Sequence, residues 1–251
     1  MTEEIFNPFS LRGKTVLVTG ASSGIGKGIA LACAKMGANV FLNGRNGTKL
    51  QETLSEMQKG QHAVVVGDLT SMHDVKEVVS QCQVLDGVVH CAGVGQRKLC
   101  KQLEEEDIDI MMSTNFKAPV MLQTEILKQK KIKKASSIVF VTSIAPESPT
   151  IGNSMYCASK GALKAYSKCL SIELASRLIR VNCISPAMVW TDLILKGGIT
   201  EEDLKEDEKK YPLKRYGKPE DIANLVIYLL SDASAWMSNS DVRITGGVDK
   251  L

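Results

Sequence analysis

The sequence predicts an α/β fold: a doubly wound parallel sheet of seven strands flanked by helices on both faces. Three observations predict it. Short β-branched runs alternate with longer stretches of helical spacing. Those runs show little polar alternation, as strands buried on both faces do. A glycine-rich turn follows the first run and opens a helical stretch, the junction of a strand–helix–strand unit. No Pro-, Gly- or Ser-rich linker and no abrupt change of composition divides residues 1–251, so one domain is expected, and no repeat of fixed period is present.

The elements follow in order. KTVLVT (14–19) is the first strand, and TGASSGIGKGIA turns out of it into a helix. ANVFLN (38–43), HAVVV (62–66) and GVVH (87–90) supply strands two to four. SIVFVT (137–142), IRVNCIS (179–185) and DVRIT (241–245) supply the last three. Two stretches break the alternation. KQKKIKK (128–134) lies between a long helix and the fifth strand. Residues 187–217 exceed an ordinary strand–helix connection and read as a lid over a substrate site. Within them EEDLKEDEKK reads as a short solvated helix.

The bulk numbers narrow the function classes. The chain has 251 residues, 44% of them hydrophobic and 24% charged, as a soluble globular domain does. A net charge of +3 is too small to demand nucleic acid or an anionic membrane. No apolar run approaches the ~20 residues that span a bilayer. MTEEIFNPFS carries acids where a secretory signal carries Lys or Arg, so no targeting segment and a cytoplasmic location are expected. Seven cysteines (Cys33, Cys82, Cys91, Cys100, Cys157, Cys169 and Cys183) are scattered, with no Cys-x-x-Cys pair, and read as reduced thiols. His62, His73 and His90 form no metal-ligand spacing, so no metal site is expected.

Two motifs carry chemistry. Gly20, Gly24 and Gly26 allow a tight bend and let backbone N–H groups approach a pyrophosphate at a helix N-terminus. In SMYCASKGALKAY, Tyr156 and Lys160 stand four apart, on one face of a helix. A cation beside a phenol favours the phenolate and lowers its pKa from about 10. Each motif also has a plain reading, since buried turns use glycine and Tyr-x-x-x-Lys arises by chance.

Together they resemble the short-chain dehydrogenase/reductase family: Thr19-Gly20-Ala21-Ser22-Ser23-Gly24-Ile25-Gly26 is similar to its cofactor motif, and Tyr156-x-x-x-Lys160 to its catalytic pair. The resemblance runs from Phe9 to the C-terminus and implies a Rossmann-type seven-stranded sheet, in agreement with the seven runs. It implies a catalytic set of Asn115, Ser143, Tyr156 and Lys160, with Ser143 thirteen positions before Tyr156. Tyr156 would exchange a proton with the substrate oxygen, Ser143 would hydrogen-bond it, Lys160 would tune Tyr156 and hold the nicotinamide ribose, and Asn115 would fix a water. Cofactor contacts would come from Gly20, Ser22, Ser23, Gly24, Ile25 and Gly26, from Asp68 and Leu69, from Cys91, Ala92 and Gly93, from Tyr156 and Lys160, and from Pro186, Val189 and Thr191.

The chain departs from the family pattern in places. His90 and Cys91 replace the two asparagines of Asn-Asn-Ala-Gly, and His90 reads as a strand-end residue. Ala187 replaces glycine in Pro-Gly-x-x-x-Thr, and Thr245-Gly246-Gly247 reads as sheet-end packing. After the second strand, Asn43-Gly44-Arg45 lacks the acid that binds an NAD ribose. Arg45 favours NADP(H) over NAD(H), because a guanidinium fork suits a 2′-phosphate.

The substrate is less legible. Specificity is expected in residues 94–102, 144–155 and 187–217, with Met155, Met188, Trp190 and Ile194 as candidate apolar lining. Similarity to 3-oxoacyl-acyl-carrier-protein reductases rests on Arg177 and on Lys130 or Lys131, cations that would steer an acidic carrier protein. VGQRKLCKQL lacks the Ile-Thr-Arg-Asp run common in those reductases. A sugar, polyol, steroid or small ketone is the alternative substrate, and a nucleotide-sensing regulator the non-enzyme alternative. The family further implies a homotetramer.

Overall fold

A computed structural model describes residues 6–195 and 200–248. The expected acidic start, in part, and four residues of the expected lid (196–199) lie outside the described residues.

Seven strands form one parallel sheet in the order β3-β2-β1-β4-β5-β6-β7. They are β1 (Thr15–Thr19), β2 (Asn39–Gly44), β3 (Ala63–Val66), β4 (Leu85–His90), β5 (Ile132–Val141), β6 (Arg180–Pro186) and β7 (Asp241–Ile244). The helices are α1 (Gly24–Lys35), α2 (Gly47–Glu56), α3 (Met72–Gln81), α4 (Glu105–Met112), α5 (Ala118–Lys128), α6 (Ser154–Glu173), α7 (Asp192–Leu195), α8 (Glu201–Glu208) and α9 (Pro219–Leu230). Alternate side chains of each strand feed opposite layers. Val16 and Val18 pack with Ile29 of α1 and Val226 of α9, whereas Leu17 packs with Val75 of α3, Leu122 of α5 and Leu163 of α6. Each core therefore sits between the sheet and one helix layer, which explains the unbroken apolar runs.

Strand order reverses at β1, which pairs with β2 on one side and β4 on the other. The connections from these two strands leave for opposite faces and open a crevice at the strands' C-terminal ends. Thr19 closes its floor: the hydroxyl accepts from the backbone N–H of Cys91 (2.9 Å) and Ala92 (3.0 Å).

One boundary differs from expectation. β5 begins inside KQKKIKK, at Ile132, which is buried and pairs with Leu85. Lys133 and Lys134 are exposed, Ala135 takes a left-handed turn (φ 57°), and pairing resumes at Ser137. Surface lysines and a kink hid the first half of the strand. The acidic run is helix α8, anchored by buried Leu204, as expected. Trp190 and Tyr216 pack together with Tyr211 and Leu204, so the segment after β6 has a small core of its own.

Candidate active site

The crevice is a cleft of about 1470 Å³, and every residue named above for catalysis or cofactor binding lines it except Asn115. That volume exceeds the ~300–1,000 Å³ of ordinary small-ligand sites and suits an extended dinucleotide with a substrate beside it.

At one end α1 opens from the glycine turn. Gly20 has φ +68°, and a Cβ on Gly26 would lie 2.2 Å from the Gly20 carbonyl oxygen, so only glycine lets the helix start this close to the strand. Ser23 is the N-cap but its side chain makes no cap hydrogen bond, and the first turn carries no acid. The leading N–H groups and the Ser23 hydroxyl are thus left for an anion. Thr191 leans over the turn, its methyl 3.1 Å from where a Gly24 Cβ would stand.

Near the end of β2, Asn43 is buried and donates to the carbonyls of Val65 (3.0 Å) and Gly67 (3.4 Å), a clasp between β2 and the chain after β3. Arg45 is exposed and lies 3.9 Å from Asp68. Burial alone would raise the Asp68 pKa, but hydrogen bonds from the Thr70 N–H and hydroxyl, with the Arg45 charge, outweigh it and hold the carboxyl below its ordinary value. Lys49 also lines this end, in the first turn of α2 where a cation opposes the helix dipole. The sequence reading passed over Lys49; its signal was a lysine four residues after Arg45, at a helix start.

At the other end α6 delivers Tyr156 and Lys160. Tyr156 and Lys160 share its inner face, with the Lys160 ammonium 5.7 Å from the Tyr156 ring centroid. Lys160 is 5% exposed and donates to the Val141 carbonyl at 3.0 Å. Burial pulls its pKa down to about 8. Tyr156 behaves differently from expectation. Burial raises its pKa, and what opposes the rise is a hydrogen bond with Ser143 rather than the Lys160 charge. The ammonium lies toward the ring, and its own burial weakens its charged form.

Asn115 lies outside the cleft lining but touches it. It stands in a π-helical turn, Ser113–Lys117, between α4 and α5. Its amide grips Val94 at both ends, accepting from the N–H (2.8 Å) and donating to the carbonyl (2.9 Å), and also reaches the Ser159 hydroxyl (3.1 Å). A Cβ on Gly93 would stand 3.1 Å from Asn115 Oδ1 and 3.5 Å from Lys160 Nζ, so Gly93 keeps the space between them open.

Other expectations are placed as follows. His90 is buried, stacked on Phe140 at 4.5 Å and hydrogen-bonded to Gln123 at 3.0 Å, and burial lowers its pKa to about 4. Of the four candidate apolar lining residues, Met188 and Ile194 face the cleft. Trp190 instead packs on Tyr216 and donates to Glu208, and Met155 is absent from the lining. Arg177 donates to the Ile132 carbonyl, and Lys131 to those of Ser80 and Cys82. Both sit at the start of β5, where Ile132 faces Leu85; Phe140 faces His90, five steps or ~17 Å further along β4, and Ser143 lies beyond that. Among the described residues no three His, Cys, Asp or Glu side chains gather as a metal site, and no helix is long and apolar enough to cross a membrane.

A family model described as enoyl-(acyl carrier protein) reductase matches residues 20–249. The chain belongs to the short-chain dehydrogenase/reductase family. Members of this oxidoreductase family use a nicotinamide cofactor. A 3-oxoacyl-[acyl-carrier-protein] reductase of Rickettsia felis is 34% identical over 238 residues, 95% of this chain and 98% of the relative. An L-xylulose reductase of Caenorhabditis elegans is 32% identical over 246 residues, 95% and 97% of the two chains. Among solved structures, a dehydrogenase/reductase from Sinorhizobium meliloti superposes with a TM-score of 0.89 at 28% identity, covering 96% of this chain and 97% of that one. Short-chain dehydrogenase/reductases thus share this chain's sheet and most of its length.

Proposed function

We propose that the protein is an NADP(H)-dependent oxidoreductase that interconverts a carbonyl and a secondary alcohol. The observation that carries the proposal is Tyr156 beside Ser143 and Lys160 on the lining of one cleft whose other end is an uncapped glycine-rich helix start. The helix start would hold the pyrophosphate, and Lys160 the ribose. Arg45 and Lys49 would hold a 2′-phosphate, with no acid beyond β2 to repel it. The bound nicotinamide supplies or accepts the hydride.

The chain's own groups manage the proton. In reduction the Tyr156 hydroxyl donates to the carbonyl oxygen, and in oxidation the phenolate takes the proton back. Ser143 donates a hydrogen bond to the same oxygen as charge grows on it. Lys160 provides a buried positive charge that supports the phenolate when it forms. Asn115, with its amide committed to Val94, serves as a brace for the loop after β4. Residues 187–217 would act as the lid of a single domain.

For the substrate, a 3-oxoacyl thioester, carried by an acyl carrier protein, is the leading class, supported by the rickettsial relatives. Arg177 and Lys131, anchored at the far end of β5, give a carrier no guide to the cleft of the same subunit. A second class, polyhydroxy ketones, is favoured by the polar substrate end of the cleft, where Asn153, Thr150 and Arg97 face inward, and by the L-xylulose reductase relative. A homotetramer would give exposed Ile108, Ile110, Ile172 and Trp236 partners to pack against.

The test is a panel of ketones, acetoacetyl-coenzyme A and L-xylulose with NADPH and NADH, followed at the nicotinamide absorbance. NADPH-dependent turnover that Tyr156→Phe lowers about 10²- to 10⁴-fold, with dinucleotide affinity unchanged, is expected. Full activity in Tyr156→Phe would remove the mechanism. Reduction of small ketones with acetoacetyl-coenzyme A untouched would remove the thioester substrate.

A further inference from the structure

We propose that Lys164 is a positioning residue which, with Glu147 and Asp241, fixes the turn after Ser143 against the helix that carries Tyr156. The inference rests on the reading of Ser143 and Tyr156 as the groups that meet the substrate oxygen. Lys164 follows Lys160 by one helical turn and Tyr156 by two, on the same side of α6. Its side chain is only 8% exposed, and its ammonium lies 2.8 Å from Glu147 and 2.9 Å from Asp241. Burying a charge requires close partners, and here they come from two other parts of the chain.

Glu147 ends the turn that begins at Ser143. That turn lies along α6 contact by contact. The Cys157 thiol donates to the Ala145 carbonyl at 3.2 Å, Pro146 stands against Gly161, and Glu147 reaches Lys164. Inside it the Ala145 N–H donates to Ser143 Oγ at 3.1 Å, so the orientation of the Ser143 hydroxyl follows the path of the turn. Asp241 secures the other side. It opens β7 and accepts from the Ser185 hydroxyl, which lies 2.9 Å from the hydroxyl of Thr142, the neighbour of Ser143. Among the described residues Lys164 bridges both supports, Glu147 and Asp241, and ties the turn to α6 through a charged contact. Among the described residues, none of these hydrogen bonds and ion pairs joins the network to the glycine turn at α1 or to Arg45.

The test compares Lys164→Met, Lys164→Arg and the milder Glu147→Gln with the full-length wild type. Hydrogen–deuterium exchange needs no substrate: faster exchange confined to residues 143–149, with α1 and β2 unchanged, is expected in Lys164→Met. With acetoacetyl-coenzyme A and NADPH, kcat should fall about 10- to 100-fold, because a misplacement near 1 Å costs that much. The Kd for NADPH should stay within twofold, and Lys164→Arg should recover most of kcat. Unchanged exchange and kcat in both Lys164→Met and Glu147→Gln would overturn the proposal, as would a kcat loss matched by an equal loss of NADPH affinity. If Tyr156→Phe retains full turnover, or the wild type has none, the catalytic reading has failed, and the exchange comparison still decides the role of Lys164.

Discussion

Gly26→Ala should damage dinucleotide binding more than folding. The added methyl would stand 2.2 Å from the Gly20 carbonyl oxygen, where real contacts do not come under 3.0 Å. Helix and turn must therefore part by at least 0.8 Å, the difference between those two distances. The helix has little room to retreat, because Pro219 already presses on Gly28, 2.6 Å from where a Cβ would be. Overpacking of this kind costs about 1–3 kcal/mol, or roughly 2–12 °C of Tm for a chain this size. The same shift stretches N–H hydrogen bonds to a pyrophosphate from ~2.9 to ~3.7 Å, outside bonding range. Losing one bond to a charged group costs about 1.5–3 kcal/mol, so Kd for NADPH should rise about 10- to 100-fold. Gly161→Ala is the control: its Cβ meets Pro146 at an ordinary 3.8 Å, and in a helix it should add up to about 1 kcal/mol. Thermal melts and tryptophan-quench titrations measure both quantities. A Gly26→Ala protein with wild-type Kd would show that the helix start does not hold the cofactor.

Two further outcomes follow from the same geometry. Replacing Arg45 and Lys49 by Ala should weaken NADPH binding about 10- to 100-fold per lost phosphate contact and leave NADH binding unchanged; equal effects on both dinucleotides would refute a 2′-phosphate site there. Lys160 has a folded pKa of about 8, below the unfolded 10.5. Between those values the unfolded chain keeps a proton that the native protein has released, so this group adds stability as pH rises. Urea melts of wild type and Lys160→Met should therefore diverge in favour of wild type, by about 2 kcal/mol between pH 7.5 and 9.5, and a constant difference would refute the buried, lowered pKa.

All seven strands and the cofactor turn were legible because they depend on local pattern. A β-branched run between helical stretches marks a strand, whether central as β1 or at a sheet edge as β3 and β7, and Thr19 to Gly26 hold their spacing within one turn. What escaped depends on contacts distant in sequence. Ile132 is a strand residue because Leu85 pairs with it, which its lysine neighbours concealed. Trp190 belongs to the small core of the segment after β6 because Tyr216 and Glu208, well downstream, claim its two ends. Arg177 and Lys131 matched a basic pattern, yet strand direction puts them at the opposite end of β5 from Ser143. Lys49 was missed because one lysine at a helix start means nothing until the fold sets it beside Arg45.

The Tyr156–Lys160 pair shows the limit most clearly. Spacing put both groups on one helical face, and they are there. Spacing also suggested that the ammonium acidifies the phenol, a conclusion that needs the dielectric as well as the distance. Lys160 is buried and Tyr156 half-buried, so the charged form of each is penalised: Tyr156 is pushed up and Lys160 down to about 8. A phenol held protonated is the form that reduction requires at neutral pH. On the proposed mechanism oxidation requires the phenolate, so the pKa must fall when the cleft fills, and the groups placed to lower it are Ser143 and the Lys160 charge. The two directions of the proposed reaction therefore make opposite demands on one half-buried hydroxyl, and what occupies the cleft decides which demand is met.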